Sequence, residues 1–464
     1  MTIPFDPDLL RRYDRPGPRY TSYPTAPQFG SSFKAAEMRA QIGRSNEDPI
    51  PRDLSLYLHI PYCASPCFYC GCNRIITRDK GKGEAYLSRL LREIDLTAPL
   101  LDRGREVVQL HLGGGTPNFL TPAQLGTLMD SLGRQFHFAS RRVRDFSIEL
   151  DPRFVTPQEI ADLAELGFNR ASLGVQDFDP AVQQAVNRIQ SIEQTLTIID
   201  ACRDQGMRSV NVDLIYGLPK QTLKGFGKTL DTVIAVAPER LAIYGYAHLP
   251  ELFRAQRQIE TADLPTSEDK LALLQLATAK LGAAGYLYIG MDHFARPEDE
   301  LARAQAQGTL HRNFMGYTTH AHTDLVGMGV SAISRVGDSY WQNYRDIVGW
   351  DAAVDAGHLP VWRGLTLSTD DLLREDVIQQ LMCHGEVDVA QTETRHKIHF
   401  SHYFEADLAR LAPLQADGLV EVSPKAIQAT SRGRLVLRII AMCFDAFLHR
   451  PAAASEPPRY SRVI

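Results

Sequence analysis

Three cysteines in one short stretch are the residues of this sequence whose types and spacing most directly imply chemistry. Cys63, Cys67 and Cys70 follow the spacing C-x₃-C-x₂-C, and Cys72 lies two residues further on. A structural zinc site usually joins two close cysteine pairs from separate segments. Three thiolates from a single loop instead indicate a 4Fe–4S cluster with one iron left open.

An open iron can chelate the amino and carboxylate groups of S-adenosylmethionine (SAM). An electron from the cluster would then cleave the sulfonium and yield a 5′-deoxyadenosyl radical. The alternative is a closed electron-transfer cluster with Cys72 as the fourth ligand. Because one glycine separates Cys72 from Cys70, reaching the last corner would strain the loop. We therefore predict three ligands, and Cys72 is not one of them.

Composition limits the other function classes. The chain has 464 residues, of which 44% are hydrophobic and 23% charged, as expected for a globular protein with a core. The net charge of −5 argues against a general nucleic-acid binder. No apolar stretch approaches the roughly 18 residues of a membrane span, and the amino terminus lacks a signal-peptide pattern. Seven cysteines do not suggest a disulfide framework. These features predict a cytoplasmic protein.

Strand-like and helix-like segments alternate along the first half of the chain. Strand patterns occur at 54–60, 107–112, 145–150, 170–175, 210–216 and 241–246. Helical periodicity occurs at 83–100, 122–136, 157–166, 192–205 and 222–236. Thr121 and Thr156, each followed by proline, are predicted helix caps. This alternation predicts a parallel sheet curled into a barrel or part of one, with a doubly wound open sheet as the alternative.

Polar or glycine-rich residues follow one predicted strand after another. They are the cysteines, the segment 113–117, Glu149 with Asp151, Gln176 with Asp177, Asp213, and Ala247 with His248. The active site of a (β/α) barrel lies at the carboxyl ends of its strands. We therefore expect these residues to share one rim.

Several of these residues have a possible binding role and an ordinary structural alternative. Backbone groups of the glycines at 113–115 can approach the amino group of a bound methionine moiety, or they form a tight turn. Glu149 and Asp213 can accept ribose or ammonium hydrogen bonds, or they are solvated strand ends. Gln176 and Arg188 can bind a carboxylate or a ribose, or Arg188 forms an ordinary salt bridge.

The sequence resembles the oxygen-independent coproporphyrinogen III oxidases, also called coproporphyrinogen dehydrogenases, a radical SAM family of haem biosynthesis. The resemblance covers nearly the whole chain, and it is far more specific than the cysteine spacing. It rests on the segments 16–25, 57–63, 67–73, 113–117, 174–178, 186–188, 211–217, 246–250, 290–295, 327–334 and 461–464.

The resemblance implies an incomplete (β/α)₆ TIM-like radical SAM barrel at 51–372. An amino-terminal extension at 1–50 would lie near the active site, and 373–464 would form a mainly helical domain. A first SAM would be held by Tyr57, Tyr69, Gly114 and Glu149. A second SAM would be held by Gly115, Thr116, Gln176, Arg188, Asp213, Ala247 and Ile333. Within the last domain, 404–411 and 435–447 have helical patterns, and 451–458 is predicted to be a flexible link.

The implied reaction is oxidative decarboxylation of two propionates of coproporphyrinogen III to vinyl groups, giving protoporphyrinogen IX. The implied partners are this substrate and an unidentified low-potential electron donor, and the protein is expected to be a monomer. No catalytic residue is assigned, and candidate propionate ligands are Arg15, Arg19, Arg296, Arg312 and Arg335. The alternatives are a haem-binding or haem-trafficking relative and another tetrapyrrole-modifying radical SAM enzyme.

Overall fold

The chain folds into two compact units. A computed structural model describes residues 4–450 and 460–462, so the predicted link at 451–458 and residues 463–464 lie outside the described residues. The barrel unit comprises Phe29–Pro265 and His322–Thr366. The second unit comprises Met1–Gln28, Thr266–Ala321 and Leu367–Ile464.

Six parallel strands form the centre of the barrel unit, as predicted. They are β1 (Asp53–Ile60), β2 (Glu106–Gly114), β3 (Asp145–Leu150), β4 (Arg170–Gln176), β5 (Ser209–Tyr216) and β6 (Arg240–Gly245). Each strand pairs with the next one along the chain, and within the described residues β6 does not pair with β1. A doubly wound sheet reverses its strand order at a switch point. The alternative of an open doubly wound sheet is therefore wrong, and the fold is an incomplete barrel.

The predicted helices connect these strands. They are Lys80–Thr97, Pro122–Gln135, Pro157–Glu165, Ile192–Asp204 and Leu223–Val236, with a short additional helix at Pro180–Ala185. Thr121 and Thr156 cap their helices as predicted, each within a reciprocal capping box. The helix predicted to start at residue 83 begins earlier, because the Asp79 side chain accepts a hydrogen bond from the Gly81 amide.

Four further strands extend the sheet beyond β1. They are β7 (Thr323–Met328), β8 (Ile333–Val336), β9 (Ser339–Asn343) and β10 (Val361–Thr366). β7 is parallel to β1, and the following strands pair in antiparallel fashion. The barrel unit also contains the helices Ala35–Asn46 and Ile347–Asp355.

A buried carboxylate fixes this extension to the barrel. Glu93 accepts hydrogen bonds from the Gly329 amide at 2.8 Å, from Asn343 Nδ2 at 2.7 Å and from Trp350 Nε1 at 2.9 Å. Burial raises the pKa of Glu93 to about 7, although all three donors oppose this shift.

The carboxyl-terminal part of the second unit is mainly helical, as predicted. Its helices are Thr369–His384, Val389–His396, Phe400–Tyr403, Glu405–Ala416, Leu437–Met442 and Ala446–His449. A small antiparallel sheet joins Glu386–Asp388, Ala426–Ala429 and Val420–Val422. The helical segment predicted at 435–447 is not one helix, because a 3₁₀ turn at Gly433–Val436 and a break after Met442 divide it.

The remaining elements of the second unit come from earlier parts of the chain. The helices are Pro7–Tyr13, Ser267–Ala283 and Glu300–Ala306, and the short strands are Leu287–Gly290, His293–Ala295, His311–Asn313 and Gly316–Thr318. In the described part of the chain, no helix combines the length and apolarity needed to cross a membrane.

Candidate radical SAM site

A cavity of about 330 Å³ lies at the carboxyl ends of the barrel strands. Eleven of the fourteen predicted ligand residues line it: Cys63, Cys67, Tyr69, Cys70, Gly114, Gly115, Thr116, Glu149, Gln176, Arg188 and Asp213. Cys72, Arg74 and Asp151 are also in the lining. Among the residues expected to share one rim, the lining includes the cysteines, residues 114–116, Glu149, Asp151, Gln176 and Asp213, but not Asp177, Ala247 or His248.

Backbone contacts hold the cysteine loop, residues 63–74, against the barrel. The strand Tyr62–Cys63 pairs in parallel with Ile75–Ile76, which turns the loop back on itself. The Phe68 amide donates to the Val186 carbonyl at 2.9 Å, and Asn187 Nδ2 donates to the Pro66 carbonyl at 2.7 Å. The loop is thus anchored at both ends and at its centre.

The three predicted cluster ligands lie in different environments. Burial raises the pKa of the Cys63 thiol to about 11, and a contact of 3.3 Å with Thr116 Oγ1 partly opposes the shift. A hydrogen bond from the Cys72 side chain, together with Arg74, lowers the pKa of Cys70 to about 6. The Cys72 amide also donates to Cys70 Sγ at 3.4 Å. The backbone of Cys72 therefore contacts the sulfur of Cys70 in this structure.

The glycines at 113–115 pack against the start of the cysteine loop. The Gly115 amide donates to the Ile60 carbonyl at 2.8 Å. A Cβ atom at Gly115 would lie 2.7 Å from the backbone of Pro61, closer than real Cβ atoms come. Gly114 has φ of +117°, and a Cβ there would meet the His59 ring at 2.6 Å. Side chains at 114 and 115 are therefore excluded by close approach.

Glu149 reaches the cavity from the end of β3. It accepts from the Gly114 amide at 3.0 Å and contacts His111 Nε2 at 3.2 Å. Burial acts to raise the pKa of Glu149, but the hydrogen bonds from His111 and Gly114 outweigh it and leave the pKa lowered. Because 43% of the side chain remains accessible from the cavity, the carboxylate can accept further hydrogen bonds.

Two histidines support this region and were not found from the sequence. His111 stacks on Tyr57 with ring centroids 5.9 Å apart, and its Nδ1 contacts Ser147 Oγ at 2.6 Å. His59 lies between Tyr57 Oη at 3.0 Å and the Asn73 carbonyl at 2.9 Å. His59 lies two residues after Tyr57 on β1, and His111 lies two residues before Gly113 on β2. Because side chains two residues apart in a strand face the same side, this spacing could have indicated that both histidines face the barrel interior.

Asp213 lies at the cavity wall on β5. It accepts hydrogen bonds from Asn211 Nδ2 at 2.8 Å and Ser172 Oγ at 3.1 Å. Burial, with the nearby charge of Glu149, raises the pKa of Asp213 to about 6. Gln176, at the end of β4, has φ of +68°, a left-handed conformation that is costly for a residue other than glycine.

Two arginines and one carboxylate surround Cys67. Arg153 Nη2 and Arg188 Nη1 approach Cys67 Sγ at 3.5 and 3.4 Å, and both donate to Asp151 Oδ2, at 2.7 and 3.1 Å. Arg188 also donates to the Gly174 carbonyl. The position of Arg153 was not predicted, because its contacts depend on how the segment after β3 folds.

Three predicted residues are not in the cavity lining. Tyr57 lies deeper in the barrel against His111. The Ala247 carbonyl accepts from Gln256 Nε2, which also donates to the Tyr69 carbonyl, so Ala247 is tied to a lining residue. Ile333 begins β8 and pairs with Gln342.

The predicted propionate-binding arginines have protein partners in four cases. Arg19 pairs with Asp292 at 2.5 Å, Arg296 lies 3.7 Å from Glu298, and Arg335 donates to the Gly337 carbonyl. Arg312 lies over the ring of Tyr317 at 4.7 Å. No described contact assigns a role to Arg15.

Comparison with known proteins identifies the family. The Radical SAM superfamily matches residues 57–233, and the HemN C-terminal domain matches residues 367–436. An oxygen-independent coproporphyrinogen III oxidase from Pseudomonas aeruginosa is 51% identical over 463 residues, covering 100% of this chain and 99% of the relative. The chain belongs to the oxygen-independent coproporphyrinogen III oxidase family. A relative of the same name from Escherichia coli K12 is 48% identical over 462 residues, covering 100% and 99%.

The fold of this oxidase family member agrees with a solved relative. The structure of the radical SAM enzyme coproporphyrinogen III oxidase (HemN) from Escherichia coli superimposes with a TM-score of 0.91 at 47% identity. The match covers 96% of this chain and 100% of that chain. The predicted barrel with a helical carboxyl-terminal domain is therefore confirmed.

The site residues fit the 4Fe–4S cluster and SAM that this radical SAM family implies. Within the described residues, no three His, Cys, Asp or Glu side chains converge on a single metal ion. A cubane does not require this, because each thiolate binds a different iron. Arg188 Nε is buried at the cavity without a hydrogen-bond partner, and the glycines at 114 and 115 leave a backbone edge free of side chains. These features suit a polar ligand beside the thiols.

Proposed function

We propose that this protein decarboxylates two propionates of coproporphyrinogen III oxidatively to vinyl groups, giving protoporphyrinogen IX. The observation that carries the proposal is the three-cysteine loop facing the cavity with the glycines and Glu149, in a chain that matches this family over its full length. When bound, the cluster and SAM would supply 5′-deoxyadenosyl radical chemistry for hydrogen-atom abstraction at the propionate β-carbon. Loss of CO₂ and of one electron to an acceptor then leaves the vinyl group.

The chain's own residues bind and orient the reactants, which is the usual contribution of a protein to cofactor chemistry. Cys63, Cys67 and Cys70 would each hold one iron. Glu149, kept ionised by His111 and Gly114, would accept hydrogen bonds from the ammonium of SAM. Leu150, a buried apolar residue at the end of β3, lines the cavity beside these polar groups.

We further propose that a second SAM binds beside the first, at Gly115, Thr116, Gln176, Arg188 and Asp213. The unpartnered Nε of Arg188 and the left-handed conformation of Gln176 support a ligand at this wall. Ala247 and Ile333 would contribute through the segments next to it. The cytoplasmic location, the monomeric state and the need for a low-potential electron donor stay predictions from the sequence.

An anaerobic assay tests the proposed reaction. The protein is reconstituted with iron and sulfide and supplied with SAM, a low-potential reductant and coproporphyrinogen III, and products are followed by chromatography and mass. We expect harderoporphyrinogen and protoporphyrinogen with 5′-deoxyadenosine, lost in Cys67→Ala and retained in Cys202→Ala, whose buried thiol lies in the helix Ile192–Asp204. 5′-Deoxyadenosine without a porphyrin product would overturn the substrate, and haem retention without SAM turnover would favour a carrier.

A further inference from the structure

Two guanidinium groups contact the sulfur of Cys67. Its Sγ is 3.5 Å from Arg153 Nη2 and 3.4 Å from Arg188 Nη1. The sulfur of Cys63 contacts only the neutral hydroxyl of Thr116 among its described hydrogen bonds. Cys67 therefore has two guanidinium groups within 3.5 Å of its sulfur, whereas Cys63 has a hydroxyl.

The three side chains behind Cys67 carry a net positive charge. Arg153 and Arg188 share the single carboxylate of Asp151, with nitrogen–oxygen distances of 2.7 and 3.1 Å. The exposed fraction of the side chain is 10% for Arg153, 7% for Arg188 and 8% for Asp151. Solvent screens such buried charges weakly, so the excess positive charge acts on the sulfur at short range.

Arg153 has no other visible function at the cavity. It is not among the lining residues, whereas Arg188 is. Its guanidinium is held in a fixed orientation, because Nε and Nη2 bond both oxygens of Asp151, at 3.0 and 2.7 Å. Its backbone amide also donates to Asp151 Oδ1 at 3.1 Å, and its carbonyl accepts from Gln194 at 3.3 Å. The result is a rigid donor aimed at Cys67.

We propose that Arg153 is a positioning residue that raises the reduction potential of the cluster bound through Cys67. A hydrogen bond to a cluster sulfur and a nearby positive charge both stabilise the added electron. Arginine suits this role, since its guanidinium stays charged and donates in a fixed geometry. The proposal rests on the proposed function only in that Cys67 binds the cluster, and it does not depend on the porphyrin substrate.

The test is a redox titration of the reconstituted protein, followed by the EPR signal of the reduced cluster. Arg153→Gln removes the charge, and Arg153→Lys keeps it. We expect at least a tenfold loss in the equilibrium constant for reduction in Arg153→Gln, which corresponds to a midpoint about 59 mV more negative. The midpoint of Arg153→Lys should also become more negative, but by a smaller amount than that of Arg153→Gln.

Two further variants separate an electrostatic effect from structural damage. Asp151→Asn removes the negative charge that offsets the arginines, so its midpoint should become more positive than that of the wild type. Arg170→Gln is the matched control, because it breaks a buried Arg–Asp pair of 3.0 Å at the opposite, amino-terminal end of β4. Its midpoint should not change.

Opposite shifts in Arg153→Gln and Asp151→Asn, with none in Arg170→Gln, would establish the proposal. An unchanged midpoint in Arg153→Gln at full iron content would overturn it, as would shifts of the same sign in both site variants. If Arg153→Gln fails to hold a cluster, the sign of the Asp151→Asn shift decides, and a negative or zero shift overturns the proposal. Failure of the porphyrin assay would leave these midpoints unaffected, so the two proposals fail independently.

Discussion

The Gly114 amide donates a hydrogen bond to Glu149 Oε2 at 3.0 Å and so joins the end of β2 to the end of β3. The contact brings the backbone edge of the glycines and an ionised carboxylate together at one wall of the cavity. The amides of residues 114–116 all donate within the protein, so the acceptors at this wall are complementary to the ammonium of SAM.

Replacing Glu149 with glutamine should weaken SAM binding by about 10- to 100-fold. A hydrogen bond between charged groups contributes about 1.5 to 3 kcal/mol, and each 1.4 kcal/mol is a factor of ten in affinity. Anaerobic calorimetric titration of the reconstituted protein with SAM measures the change. Glu165→Gln, on an exposed helix position, is the control. Equal affinity in Glu149→Gln and wild type would remove Glu149 from the SAM site.

Adding one methyl group at Gly115 should destabilise the protein and the cysteine loop together. The new Cβ would lie 2.7 Å from the Pro61 backbone, which cannot yield without moving Tyr62 and Cys63. Overpacking of this kind costs about 1 to 3 kcal/mol. We expect lower iron content and a lower denaturation midpoint in Gly115→Ala.

Gly126→Ala is the matched control for this substitution. A Cβ there meets only Leu166 at 3.8 Å, and Gly126 lies inside the helix Pro122–Gln135. Gly126→Ala should therefore raise the free energy of unfolding of the protein by about 0.5 to 1 kcal/mol. Equal iron content and equal denaturation midpoints in Gly115→Ala and Gly126→Ala would show that the close packing of residue 115 does not hold the cysteine loop.

Asp213→Asn should stabilise the cluster-free protein increasingly as pH rises. The folded pKa of Asp213 is raised from 3.8 to about 6 mainly by burial, so the folded state binds more protons than the unfolded state between these values. The free energy of unfolding of the wild type therefore falls as pH rises through this window. We expect the advantage of Asp213→Asn to grow by about 1 kcal/mol between pH 5 and 8. Urea unfolding of both proteins at each pH measures it, and a difference independent of pH would refute it.

Cys72→Ala should keep about four irons per chain, whereas Cys70→Ala should lose the cluster. Cys72 is exposed at the loop, and its amide hydrogen bond to Cys70 Sγ survives the substitution, since it comes from the backbone. Iron and sulfide analysis after anaerobic reconstitution distinguishes the two variants. A Cys72→Ala protein without a cluster would show that the alternative of a fourth cysteine ligand is correct.

Much of the barrel is predictable from this sequence. Six strands with alternating helices have strong periodic patterns, and the threonine–proline pairs at 121–122 and 156–157 mark helix starts through a local mechanism. The strand β7 and its antiparallel neighbours have no comparable signal. The position of β7 depends on non-local pairing with β1 and on the hydrogen bonds of Glu93.

In the candidate site, too, some features are predictable from the sequence and others depend on non-local contacts. The cysteines, glycines and strand-end carboxylates are adjacent in sequence to predicted strands, so their meeting follows from topology. The contacts of His111 with Glu149 and of Arg153 with Cys67 depend on register and on the turn at Pro152–Phe154. Single-sequence patterns do not fix such side-chain networks.

The most direct test of the central claim follows one hydrogen atom. Coproporphyrinogen III deuterated at the propionate β-carbons is supplied with SAM and reductant under anaerobic conditions, and the 5′-deoxyadenosine is analysed by mass. The account predicts deuterium in 5′-deoxyadenosine together with vinyl product, and neither in Cys67→Ala. Vinyl product formed with unlabelled 5′-deoxyadenosine, or formed without any, would contradict it.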